Sequence, residues 1–248
     1  MNPLRAFLLG IAAYGAFLLG TAPASILVEP VAKASGHGVR LSNATGTVWH
    51  GSAAVAIARR GVGFAVDEVR WRFRPLRLLA GQVAFAIEAR AGTWQARGEV
   101  ARSPMSWRLG GFRAAGDASA LGTAHPLAAT WQPAGAVVVE APDLAWDGER
   151  MSGEATVEWR DAALALSAAR PLGSWRVVAT GDGPAMKLSL ATTKGPLRLS
   201  GNGTLALPGR LAFAGEARAE PGRERELEAV LGLLGPRRAD GAHALEVR

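Results

Sequence analysis

Val69-Arg70-Trp71-Arg72-Phe73-Arg74 sets an apolar side chain at every second position and an arginine after each one. Side chains of a strand point alternately to opposite sides, so this stretch reads as a strand with one buried and one wet face. The period continues outward. Val83, Phe85, Ile87 and Ala89 stand against Ala84, Ala86, Glu88 and Arg90, and Trp94, Ala96 and Gly98 against Gln95, Arg97 and Glu99. Upstream, Val39 and Leu41 alternate with Arg40 and Ser42, and Val55 and Ile57 share a side. Pro75–Gly81 reads as a short connection.

Downstream the series runs through Trp107 with Leu109, Val137 to Glu140, Leu144 with Trp146, and Ala155, Val157 and Trp159. Leu164 with Leu166, Trp175 with Val177, Met186 with Leu188 and Leu190, Leu197 with Leu199, Leu205 with Leu207, and Leu211 with Phe213 complete it. Asp147-Gly148 is placed as a hairpin turn, and Asp182-Gly183 and Asn202-Gly203 as further breaks. Gly110–Pro126, rich in Gly, Ala and Ser, reads as a loop or lobe junction. More than ten short strands at regular spacing predict an all-β body, either an extended curved antiparallel sheet or a sandwich-like domain.

Helical periodicity is confined to the ends. Ser25–Ser35 sets Ile26, Leu27, Val31 and Ala34 as a short amphipathic helix, with Pro30 tolerable in a first turn. Arg223–Leu234 places Leu227, Val230, Leu231 and Leu234 at i, i+3, i+4, i+7, and Gly235-Pro236 stops it. Ala244–Val247 reads as a last strand. Leu4–Ala22 (LRAFLLGIAAYGAFLLGTA) carries no charge after Arg5, and its strong apolar residues give roughly −2 to −4 kcal/mol for insertion. Two readings fit it: a cleaved secretory signal ending at Ala22-Pro23-Ala24, or a retained single-span anchor. Both put the rest of the chain outside the cytoplasm. The expected division is residues 1–24 as membrane anchor and 25–248 as a periplasmic β-rich domain.

The chain has 248 residues and no cysteine, so disulfide scaffolds and thiolate metal sites are excluded. A net charge of +7 suggests nucleic acid, yet the arginines are spread along the chain without the cluster or stripe of a nucleic-acid footprint. Attraction to anionic lipid head groups of the inner membrane fits this charge better. The four histidines, His37, His50, His125 and His243, lie far apart, and no metal-ligand spacing, nucleophile elbow or phosphate loop occurs. The expectation is therefore a protein with no catalytic residues, metal or cofactor. The tryptophans at alternating positions, Trp49, Trp71, Trp159 and Trp175, read as core or sheet face. An uncovered concave face would instead be an apolar binding surface. The candidate interaction surface is Thr47, Trp49, His50, Trp71, Arg72 and Arg74.

Gly46-Thr47-Val48-Trp49-His50-Gly51-Ser52-Ala53, following "GVRLS" at Gly38–Ser42, resembles protein N of the bacterial type II secretion system. So do Trp71–Gly81 (WRFRPLRLLAG), Gly195–Gly203 (GPLRLSGNG) and Leu231–Arg248 (LGLLGPRRADGAHALEVR). The resemblance implies a single-span inner-membrane protein with a β-rich periplasmic domain. It also implies an accessory role, beside other secretion subunits, in exporting folded proteins across the outer membrane. The implied sheet is similar to that of AsmA-like proteins, which leaves a lipid-binding or lipid-transfer module as the alternative reading. An envelope hydrolase is the third.

Overall fold

The computed structural model describes residues 3–59, 62–120, 122, 130–206 and 209–247. The alternation forms thirteen strands among these residues. They are β1 (Val39–Gly46), β2 (His50–Arg59), β3 (Val62–Phe73), β4 (Val83–Ala91), β5 (Trp94–Arg102), β6 (Trp107–Asp117) and β7 (Ala134–Trp146), then β8 (Met151–Ala163), β9 (Gly173–Gly183), β10 (Ala185–Lys194), β11 (Leu197–Ala206), β12 (Arg210–Ala219) and β13 (His243–Val247). Each pairs antiparallel with its neighbours in the chain, giving one open sheet in sequence order. Of the two arrangements expected, the single sheet is the one formed. Helices α1 (Pro3–Thr21), α2 (Val28–Ala34) and α3 (Glu224–Leu234) accompany it.

Register keeps the apolar set on one face across the whole width. Phe73 lies opposite Phe85, Phe85 opposite Val100, Val100 opposite Leu109 and Leu109 opposite Leu144. Farther on, Val157 lies opposite Val177 and Val177 opposite Leu190. The other face pairs charges: Arg70 with Glu88, Glu88 with Arg97, Arg113 with Glu140, Glu158 with Arg176. A one-residue slip would exchange the two faces, so added residues are absorbed in bulges. In β8 the ladder skips from Trp159 to Ala162, with Asp161 at φ 48, and both flanking side chains stay on the apolar side.

The core sits under α3. Leu227, Val230 and Leu231 pack with Trp175, Leu197, Ala217 and Leu172. Burial of each aliphatic side chain is worth about 1.5–3 kcal/mol, enough to hold an 11-residue helix that is too short to stand alone. Glu224 and Glu226 in its first turn suit the helix dipole. At the other end α2 packs on β1, and Pro30 falls in its first turn as expected.

The expected α1 helix forms over Pro3–Thr21, but no helix among the described residues is long and apolar enough to cross a membrane. Nineteen residues rise about 28 Å, just short of the roughly 30 Å hydrocarbon layer.

Three local expectations are corrected. Gly110–Pro126 is not all loop, because β6 continues to Asp117; residues 121 and 123–126 lie outside the described set. Leu164 and Leu166 form no strand: β8 ends at Ala163, and the segment behind it folds into the core, burying Ala169 and Leu172. Asn202-Gly203 is no turn. It lies inside β11, where a side chain on Gly203 would meet the Phe213 ring at 2.8 Å and one on Gly201 would meet it at 2.6 Å. These glycines seat an aromatic ring from β12 rather than reverse the chain.

Candidate interaction surface

Thr47, Trp49, His50, Trp71, Arg72 and Arg74 meet at one corner of the sheet, where the β1–β2 turn packs against β3. The turn is closed locally: Thr47 N–H donates to the His50 carbonyl at 2.9 Å, and His50 N–H to Thr47 Oγ1 at 3.1 Å. Trp71 passes over Gly51, where any side chain would clash with its ring, and its Nε1–H donates to the carbonyls of Val48 and Thr47. Trp49 Nε1–H donates to the Leu19 carbonyl at 2.6 Å, while Val48 N–H donates to the Ala22 carbonyl at 3.0 Å. Trp49 also stacks on Phe73, and Phe73 on Phe85. Trp49 thus ties the end of α1 to the β1–β2 turn, and Trp71 holds that turn on β3.

The remaining three lie on the charged face. His50 is opposite Arg72, and with Arg70, Arg74 and Glu88 they line a shallow recess of about 330 Å³. Arg70 pairs with Glu68 at 2.8 Å, and Arg74 reaches Glu99 at 3.9 Å, a carboxylate already held by Arg77 at 2.7 Å. Two to three guanidinium groups around one recess suit an acidic partner group. The six residues therefore share a corner but split between two jobs and two faces.

A second feature, the apolar face between β4 and β10, escaped sequence reading at the level of residues. Two grooves run along it near the strand ends. One of about 470 Å³ is lined by Val83, Phe85, Val100 and Trp107, the other of about 340 Å³ by Leu109, Leu144, Trp146 and Met186. Five of the eight tryptophans donate their indole N–H to main-chain carbonyls: Trp49, Trp71, Trp94, Trp159 and Trp175. The others, Trp107, Trp131 and Trp146, are exposed large apolar residues. The available signal was position, since Trp107 opens β6 and Trp146 closes β7 against the Asp147-Gly148 turn.

Among the described residues no three His, Cys, Asp or Glu side chains approach as a metal site would require. His243 Nδ1 is bonded to the Gly235 carbonyl at 2.8 Å, and His125 lies outside the described residues. Among the described residues, four carboxyls have a pKa held below the ordinary carboxylate value. Asp117 is held down by Ser119, Asp147 by the N–H groups of Arg150 and Glu149, Glu158 by Arg160 and then Arg176, and Asp240 by the Ala242 N–H.

No curated protein and no solved structure matches the chain. The model of one family, described as type II secretion system (T2SS), protein N, matches residues 37–246. That span runs from His37, just ahead of β1, through twelve strands and most of the last, so the chain belongs to the type II secretion system protein N family.

Proposed function

We propose that this chain is a non-enzymatic scaffold subunit of the type II secretion system, held at the inner membrane by α1, with residues 25–248 in the periplasm. The observation that carries this reading is the family match over nearly the whole sheet. Membership implies contact with other type II secretion subunits, and the split corner offers two means of making it. His50, Arg72 and Arg74 present positive charge, and the β4–β10 face presents apolar surface. The anchor is supported by α1 itself, which leaves Phe7, Leu9, Ile11, Phe17 and Leu19 each more than half exposed. A shortfall of about 2 Å costs only fractions of a kcal/mol per Å of mismatch.

The test is site-specific crosslinking in secreting cells, with photoreactive residues at Arg72 and Trp107. Crosslinks to a type II secretion subunit, and their loss in Arg72→Glu, support the reading. Normal exoprotein release in a deletion strain without such crosslinks removes it. A lipid-binding module is the second reading, favoured by the two grooves lined by Phe85, Trp107, Leu144 and Trp146. Native mass spectrometry after gentle extraction decides it: a clean apo mass rules it out.

A further inference from the structure

In a sequential antiparallel sheet, the connections that follow odd-numbered strands all lie along one rim. α1 leaves the sheet on that rim, because Leu19 and Ala22 are hydrogen-bonded to Trp49 and Val48 in the β1–β2 turn. The next two connections on the same rim are unusual. Pro75–Ala80, after β3, leaves Leu76 79% and Leu79 88% exposed, and the β5–β6 turn leaves Met105 82% exposed. At strand spacings near 4.8 Å these tips lie about 10 and 20 Å from the α1 exit. Farther along the rim, the β7–β8 turn carries Asp147, Glu149 and Arg150 and Asp182 stands beside the β9–β10 turn, while residues 207 and 208 of the β11–β12 turn lie outside the described residues. Among the described residues, the connections on the opposite rim leave Leu233 58%, Leu166 45% and Trp131 42% exposed, all less than the three tips.

Just behind the tips stand Trp107 and Trp146, paired across β6 and β7, with the Arg102 guanidinium 4.6 Å from the Trp107 ring. Aliphatic tips, then a band of indole and guanidinium, is the depth order of a protein edge resting in a bilayer interface. We propose that this rim, from the β3–β4 connection to the β5–β6 turn, docks on the lipid bilayer that α1 enters. Leu76, Leu79 and Met105 lie among the acyl chains, and Trp107, Trp146 and Arg102 lie at head-group level. The sheet then stands on the membrane instead of swinging from a tether, and both apolar grooves open at the lipid surface. The proposal rests on the anchor reading of α1 for its location.

The chain has no cysteine, so single labels are unambiguous. Full-length protein carrying an environment-sensitive fluorophore at Leu79→Cys, Met105→Cys, Ile11→Cys or, on the far rim, Thr93→Cys is reconstituted into phosphatidylethanolamine–phosphatidylglycerol vesicles. The expected result is short-wavelength emission at positions 79, 105 and 11, quenched several-fold more by a lipid-borne quencher than at position 93. Water-like emission at 79 and 105 with a buried label at 11 overturns the docking and leaves the anchor standing. Buried labels at 79 and 105 with a water-like label at 11 keep the docking and remove the anchor. Shielding at 79 and 105 that the lipid quencher cannot reach means protein covers the rim, and also overturns the proposal.

Discussion

The stretch of sheet under α3 and the stretch from β4 to β8 have the same alternation, the same antiparallel pairing and the same division into apolar and charged faces. They differ in what lies on the apolar face. Under α3, Trp175, Leu197 and Ala217 are sealed by Leu227, Val230 and Leu231. Between β4 and β8, Val83, Trp107, Trp146 and Val157 stay exposed on that same face. Stability is concentrated in the first region, and the second is free to meet something else. A chain that supplies its own cover at one end and leaves the middle bare has spare apolar surface of the kind that marks interaction sites.

The contrast can be broken by truncation. Leu227→Ala, at a fully buried position, is expected to cost about 2–5 kcal/mol, while Val157→Ala is expected to cost under about 1 kcal/mol. Urea unfolding followed by tryptophan fluorescence measures both. Equal losses would mean the middle region is sealed in solution, and the contrast would be lost. Next in size is Gly203→Ala, whose new methyl would meet the Ala212 carbonyl at 2.5 Å and the Phe213 ring at 2.8 Å. Overpacking of this sort costs about 1–3 kcal/mol, whereas Gly63→Ala, which meets open space, is expected to be near neutral.

Smaller effects come from the charged face. Glu158 is bonded to Arg160 and Arg176, which hold its pKa below the ordinary carboxylate value. A carboxyl whose pKa is lower in the folded state adds stability above its unfolded pKa. That contribution disappears as the pH falls through the folded value. Glu158→Gln should therefore lower the urea midpoint at neutral pH slightly and leave it unchanged at the acid end. A difference that grows toward acid would contradict the pairing. Smallest of all, Trp107→Ala and Trp146→Ala together are expected to shift stability little, since both rings are about 40% exposed. The same pair should reduce binding of an apolar dye to the folded protein.

Alternation made most of the strands legible, because each strand buries one side and wets the other. What alternation could not show was why a glycine stands where it does. Gly203 in β11 and Gly116 in β6 carry the same letter as the glycine of a turn, yet both lie beneath aromatic rings, Phe213 and Trp94, from adjacent strands. Seating of that kind depends on the partner strand, which is invisible until register is known. Gly110–Pro126 was misread for this reason, and so was Asn202-Gly203. At the candidate corner, the fold places the six residues named from the sequence near one another. Sequence could not show that Trp49 bonds the end of α1 while Trp71 bonds the β1–β2 turn and His50 pairs across from Arg72, because those roles depend on where the helix end meets the turn.

Strict neighbour-to-neighbour pairing has a consequence for how the molecule is made. Every ladder joins segments adjacent in the chain, so low contact order favours rapid, stepwise zippering. A polypeptide emerging amino end first could add hairpin after hairpin to a growing edge, and only the arrival of α3 would lock the final third. Nascent chains arrested after β8 should already protect the amides of β2 to β5 from hydrogen exchange, and protection of β9 to β12 should wait for residue 234.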